Sequence, residues 1–425
     1  MKRLLLVLVA LIVLIPLAII GFEQWNEPED SRANPPAENP AAQISRGAYL
    51  ARAGDCRACH TTRGGMAYAG GRAIPTPYGE IFAPNITPEP TTGLGTWTPD
   101  DFWRALHHGK SKDGRFLYPA FPFPNYTKMT RADADALFAY LLTVAPVKQA
   151  NREHALRFPY NQRVLLAGWR ALYFRPGTYQ PTPQKSLAWN RGAYLVQGLG
   201  HCNACHTNRT MFGGQTSEDL AGGLIPMMNW YAPSLNSDAE AGLGNWEERQ
   251  IVDLLKTGVS EKGAVFGPMA EVVAASLQHL SDDDVSAMAA YLKSLPQTAA
   301  PSPQGVPASA EGEGAMKLGT QLYEKHCVGC HQENGQGNPP AYPPLAANRA
   351  LTMHSPVNPI RMILNGGFPP STGGNPRPYG MPPYGHALND VEVAALATYI
   401  RNSWGNRAPL ISPGEVNRYR GTPQD

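Results

Sequence analysis

The chain has 425 residues, 43% hydrophobic and only 16% charged, which suits folded domains and gives room for more than one core. Its 36 basic and 34 acidic side chains leave a net charge of +2 with no long basic run, and no nucleic-acid-binding motif occurs; a nucleic-acid partner is not expected. The 42 glycines and 41 prolines imply short helices joined by much non-repetitive chain, below the level at which disorder becomes the default.

Lys2 and Arg3 precede an unbroken run of 19 apolar or small residues, Leu4 to Phe22. That is close to the length of a bilayer-crossing helix. The positive flank holds the N-terminus in the cytoplasm and places the rest of the chain outside it. Residues 1–22 therefore read as a membrane anchor or as a cleaved secretory signal. The length of the run and the want of a nearby A-x-A site favour the anchor, whereas Pro16 weakens it. Both readings export the remainder. Residues 23–43, dominated by Pro, Ala, Asn and Glu, read as a linker.

All six cysteines then fall into three C-x-x-C-H motifs: Cys56-Arg57-Ala58-Cys59-His60, Cys202-Asn203-Ala204-Cys205-His206 and Cys327-Val328-Gly329-Cys330-His331. This is the attachment sequence for c-type haem, with two thiols for the vinyl groups and an adjacent histidine for the iron. A zinc site would draw four ligands from two motifs and leave the histidines without a purpose. A thioredoxin-like motif has no reason to be tripled. The expected cofactors are three covalently bound haem c groups, held by these six cysteines, with His60, His206 and His331 as proximal ligands.

The motifs sit inside a larger repeat. Arg46-Gly47-Ala48-Tyr49-Leu50 and Arg191-Gly192-Ala193-Tyr194-Leu195 precede the first two, and Gly319-Thr320-Gln321-Leu322-Tyr323 is a looser third copy. Each repeat closes on a similar helix: Ala136 to Leu141, Ala287 to Leu292 and Ala395 to Ile400. Their tyrosines, Tyr140, Tyr291 and Tyr399, read as packing against the opening helices. Asp133, Asp282 and Asp390 stand near the helix starts, where the dipole favours negative charge. The expected fold is mainly α: an N-terminal membrane helix, then three consecutive small α-helical cytochrome c domains over 44–180, 181–298 and 315–407. A linker covers 299–314 and a tail without an apolar stretch covers 408–425.

A thioether opposite the histidine would close each iron to substrates and raise its potential. Met381 lies 18 residues before Tyr399, and Met269 lies 22 before Tyr291, both in glycine- and proline-rich loops. They are the expected sixth ligands of the third and second haems, Met227 and Met228 being rivals in the second domain. In the first domain Phe121 occupies the corresponding place and cannot ligate. Met129 is the favoured donor there; bis-histidine ligation by His107 or His108, or an open iron, are the alternatives.

Beyond the haem motifs, Ala83-Pro84-Asn85-Ile86-Thr87-Pro88, Gly93-Leu94-Gly95-Thr96-Trp97 and Asp113 to Ala120 stand out. Ala232-Pro233-Ser234-Leu235-Asn236 and Gly242-Leu243-Gly244-Asn245-Trp246 echo the first two. With these loops the chain resembles the three-haem cytochrome c subunits of bacterial membrane-bound dehydrogenases over nearly everything after residue 44. The resemblance implies an electron-transfer subunit serving a catalytic dehydrogenase of pyrroloquinoline-quinone, flavin or molybdenum type that oxidises an alcohol, aldehyde or sugar acid. It further implies delivery of electrons to ubiquinone or the respiratory chain, at the bacterial inner membrane with the haem domains facing the periplasm.

No Rossmann fingerprint, P-loop, nucleophile elbow or zinc-protease motif accompanies the haem sequences, so no independent catalytic constellation is expected. Two other functions stand as alternatives. One is a haem enzyme in its own right, a peroxidase or sulfur-compound oxidoreductase using an open first haem. The other is a cytochrome subunit of a terminal oxidase.

Overall fold

The structure, a computed structural model, describes residue 21 and residues 38–236, 241–296, 305–306 and 309–421. They form two compact units. The first comprises the chain up to Pro181 with Gln197–His201 and Arg209–Thr216; the second comprises Thr182–Val196, Cys202–Asn208 and the chain from Ser217 onward. The apolar run over 4–22 lies outside the described residues, apart from Gly21. Among the described residues, no helix is long and apolar enough to cross a membrane.

In the first unit the order is α1 (Pro40–Ala53), α2 (Cys56–Cys59), β1 (Ala73–Thr76), β2 (Gly79–Phe82), α3 (Pro99–His108), α4 (Phe123–Tyr126), α5 (Arg131–Leu141), β3 (Ala155–Leu156) and α6 (Leu166–Tyr173). Helix α1 starts inside the span read as linker, because Asn39 caps it by accepting from the Ala41 amide and Pro40 costs no hydrogen bond in the first turn. The three short strands form one antiparallel sheet in the order β1-β2-β3. Residues after α5 fold back to supply β3 and α6. Arg170 of α6 is 4% exposed, with its guanidinium 4.8–5.7 Å from the ring centres of Phe116, Phe123 and Phe174. It also donates to the His108 carbonyl, so its charge is both hydrogen-bonded and stacked.

The second unit holds two repeats. The second repeat runs through α7 (Leu187–Tyr194), α8 (Asn203–His206), β4 (Gly223–Ile225), β5 (Trp230–Ala232), α9 (Glu248–Thr257), α10 (Pro268–Ala275) and α11 (Asp282–Lys293). The third runs through α12 (Ala310–His326), α13 (Val328–His331), α14 (Arg349–Thr352), α15 (Val357–Asn365), α16 (Asp390–Ile400) and α17 (Pro413–Arg420). Helix α12 begins within the expected linker, capped by Ser309. The supposed tail is structured too: Ala408, Ile411 and Val416 are all buried, and Arg420 pairs with Asp390 at 2.6 Å. Single apolar residues spaced among prolines and charges carry no periodicity, which is why the sequence hid this helix.

One contact recurs in every repeat. The opening helix crosses the closing helix at a glycine, where a Cβ added to Gly47 would sit 1.9 Å from the Ala136 carbonyl oxygen. The same clash would arise at 1.9 Å between Gly192 and Ala287, and at 2.4 Å between Gly319 and Ala395. The closing tyrosines pack beside the crossing as expected: Tyr291 meets Trp189 of α7, and Tyr399 meets Tyr323 of α12. Each closing helix is capped alike, Thr130, Ser281 and Asn389 accepting from the amides of Asp133, Asp284 and Glu392. Asp133 then pairs with Arg46, and Asp284 takes Arg191 through two bonds of 2.8 and 2.7 Å. Asp282, by contrast, binds Lys256 at 2.9 Å.

The crossing yields a prediction with an internal control. Gly47→Ala should lower stability by about 1–3 kcal/mol through overpacking against rigid backbone. Gly168→Ala, in α6 with nothing within 4 Å of its added Cβ, should leave stability level or raise it slightly. Thermal unfolding followed by far-ultraviolet circular dichroism measures both. Equal melting temperatures for Gly47→Ala and the parent would refute the close-crossing account.

Candidate haem-binding sites

Each C-x-x-C-H motif forms one helical turn just after its opening helix. The amide of the histidine reaches back to the carbonyl of the first cysteine: His60 to Cys56 at 3.0 Å, His206 to Cys202 at 2.9 Å and His331 to Cys327 at 2.9 Å. In such a turn residues i, i+3 and i+4 share a face. Both thiols and the imidazole of each motif are thereby presented together. None of the six cysteines is joined in a disulfide. Burial pushes Cys56, Cys202 and Cys327 up to about 12, so they are held as neutral thiols.

The orientation of the histidines comes from a partner that the sequence reading passed over. His60 Nδ1 lies 2.7 Å from the Pro84 carbonyl oxygen, His206 Nδ1 lies 2.6 Å from that of Pro233, and His331 Nδ1 lies 3.1 Å from that of Pro343. A carbonyl only accepts, so Nδ1 carries the proton and the Nε2 lone pair is left for a metal. Burial lowers all three imidazoles, His206 to about 4, which keeps them in the neutral, ligating form. The signal was present as the Ala-Pro dipeptide shared by Ala83-Pro84 and Ala232-Pro233, with Tyr342-Pro343 as its third counterpart.

The echoed loops are what carry those prolines. The Leu94 amide donates to the Thr87 carbonyl and the Leu243 amide to the Asn236 carbonyl, both at 2.7 Å. Asn85, 3% exposed, ties the first loop together, accepting from the Thr87 amide at 2.9 Å and donating to the Val147 carbonyl at 2.7 Å. Trp246 is buried with the Arg349 guanidinium 5.4 Å from its ring centre, whereas Trp97 is half-buried. Both tryptophan amides close the same turn, onto the carbonyls of Leu94 and Leu243.

The methionines differ in setting. Met381 is fixed by reciprocal main-chain bonds with Gly367, at 2.8 and 3.0 Å, and packs against the same apolar cluster as Cys327 and Val328. Met269 stands half-buried in the first turn of α10, which starts against Trp230. Met129 is fully enclosed at 0% exposure, between α4 and α5. Phe121 packs on Tyr126, whose hydroxyl donates to the Gly54 carbonyl beside Cys56. His107 and His108 are buried at the end of α3, His107 stacked on Trp103 with centroids 4.3 Å apart. Met227 is half-exposed on a left-handed turn.

The donor set suits haem. Paired neutral thiols on one helix face, with a neutral imidazole offering Nε2 beside them, are what covalent attachment and axial ligation require. Among the described residues, no group of three or more His, Cys, Asp or Glu side chains could hold a bare metal ion. Helical repeats carrying such sites define a c-type cytochrome. The chain belongs to the cytochrome c family, whose profile matches residues 44–145, 190–296 and 316–404.

Several of its relatives are named as subunits of dehydrogenases. The cytochrome c subunit of alcohol dehydrogenase (quinone) from Gluconacetobacter polyoxogenes is 40% identical over 399 residues, covering 90% of this chain and 85% of its own. The gluconate 2-dehydrogenase cytochrome c subunit of Pantoea cypripedii is 41% identical, covering 86% and 87%. The fructose dehydrogenase cytochrome subunit of Gluconobacter japonicus is 36% identical, covering 92% and 86%.

Covalent haem should therefore be countable. A pyridine haemochrome assay on the purified protein should return three haems per chain. Replacing Cys327 and Cys330 together by alanine should remove one and leave two. A parent value of two would leave one of the three sites empty, and an unchanged count in the variant would identify it as the third.

Proposed function

We propose that the protein is a three-haem c-type cytochrome that relays electrons from a partner dehydrogenase to ubiquinone or the respiratory chain. The observation that carries this reading is the threefold site, each with paired cysteines, a histidine and a proline carbonyl on its Nδ1. When bound, haem c supplies reversible one-electron exchange. The chain's own residues attach it, ligate it and fix the imidazole. Cys56 with Cys59, Cys202 with Cys205, and Cys327 with Cys330 take the covalent links, with His60, His206 and His331 as proximal ligands. Met129, Met269 and Met381 are the proposed sixth ligands, a closed arrangement that suits transfer rather than substrate turnover.

The named relatives are subunits of alcohol, gluconate and fructose dehydrogenases, which supports a catalytic dehydrogenase subunit as the electron source; its type, quinoprotein, flavin or molybdenum, is proposed on the resemblance of the sequence alone. The apolar N-terminal run supports a site at the bacterial inner membrane with the haem domains in the periplasm.

Membranes from cells with and without the gene test the relay. Ethanol, acetaldehyde, gluconate, fructose and N-heterocycles are added singly, and reduction of c-type haem is recorded optically. One substrate should reduce the haem only when the gene is present. Failure of every substrate, together with rapid peroxide oxidation of the pre-reduced protein, would replace the relay with a haem enzyme acting alone.

A further inference from the structure

The third repeat reaches into the proximal side of the second haem site, and it does so with a cation. Arg349, the first residue of α14, donates from Nη1 to the Ser234 carbonyl at 3.2 Å. Ser234 follows Pro233, whose carbonyl holds His206 Nδ1 at 2.6 Å. The guanidinium also lies 5.4 Å from the ring centre of Trp246, on the neighbouring loop of the same repeat. The charge thus lies one residue away from the carbonyl that holds His206.

This contact belongs to a built surface. Asn358 of α15 exchanges two bonds with the main chain of Tyr231, 2.9 and 2.8 Å long, on the strand that leads into Pro233. Arg361, 1% exposed, places its guanidinium 4.8 Å from the ring centre of Trp230 on that strand. Helices α14 and α15 thus brace β5 and the proximal loop from the third repeat.

The other two sites brace the corresponding position with neutral amides. In the third repeat the Pro344 carbonyl, next after Pro343, accepts from Asn348 Nδ2 at 2.8 Å. In the first, the Asn85 amide, next after Pro84, donates to Asn151 Oδ1 at 2.7 Å. Arg349 therefore introduces a formal positive charge where its counterparts introduce none.

We propose that Arg349 is a positioning and potential-setting residue for the second haem, supplied across the boundary between the second and third repeats. A ferric haem carries one more positive charge than a ferrous one, so a nearby fixed cation favours the reduced form. The same charge discourages His206 from gaining anionic character, which works in the same direction. The proposal rests on haem c being bound at Cys202, Cys205 and His206.

Potentiometric titration of the purified holoprotein, with haem content measured first, tests it. Arg349→Gln should lower the midpoint of one haem of three, enough to change its oxidised-to-reduced ratio several-fold at fixed potential. The other two should stay in place. Arg349→Lys should restore the parent value because it keeps the charge. Asn358→Ala, which loosens the same surface without altering charge, should leave all three midpoints where they were. Arg349→Met serves as the neutral replacement if the glutamine variant does not load three haems. Unmoved midpoints in the neutral variant, or equal shifts with lysine and glutamine, would overturn the proposal. A parent protein without haem at Cys202 and Cys205 would instead overturn the underlying site assignment, and the haem count reports that separately.

Discussion

The structure depends on two helices being allowed to touch. At Gly47, Gly192 and Gly319 the backbone of the opening helix lies where any side chain would meet the backbone of the closing helix. Helices this close bury a long stripe with few residues, which suits short repeats unable to build a thick core. Because the crossing is made by backbone, it fixes where the end of the opening helix emerges. The C-x-x-C-H turn follows directly, so one close contact sets the position of two thiols and an imidazole.

Around that crossing the repeats use different charges for the same purpose. Arg46 and Arg191 each run from the residue before the glycine to the third residue of the closing helix, Asp133 and Asp284. The third repeat has Leu318 in place of the arginine, and Glu392 in place of the aspartate. There the clamp comes from the far end of the chain, Arg420 reaching Asp390 and the Leu388 carbonyl. In the third repeat the start of the closing helix is thus tied to the C-terminal helix and not to the opening helix.

Much of this was legible in the sequence, and the failures have physical causes. The three sites and the helix pairs announced themselves because cysteine spacing and the R-G-A-Y-L repeat are local patterns. The capping residues Thr130, Ser281 and Asn389 were equally local, and weighing them would have added Asp284 and Glu392 to the first-turn acids already read at Asp133, Asp282 and Asp390. The start of α1 at Pro40 was obscured because proline and alanine suit a linker and a first helical turn alike. Helix α17 was hidden because its stability comes from packing Ile411 and Val416 into a core built elsewhere. The bracing of the second site by Arg349 joins residues 115 apart, and no periodicity reports a contact of that kind.

Three copies of one site would be three equal sites, and electrons have no preferred direction among equals. The ligating motif cannot supply the difference, since each copy has the same two thiols and one histidine. What differs is the support behind the imidazole. His60 and His206 hold short bonds of 2.7 and 2.6 Å to their proline carbonyls, whereas that of His331 is 3.1 Å. A stronger bond at Nδ1 makes the imidazole a better donor at Nε2 and favours the oxidised metal. The second support differs again, in carrying the Arg349 guanidinium on the residue after its proline. The proline carbonyl and its neighbour are thus the positions at which a repeated fold can be made unequal without disturbing attachment. Divergence there leaves the helix crossing and the cysteine turn untouched.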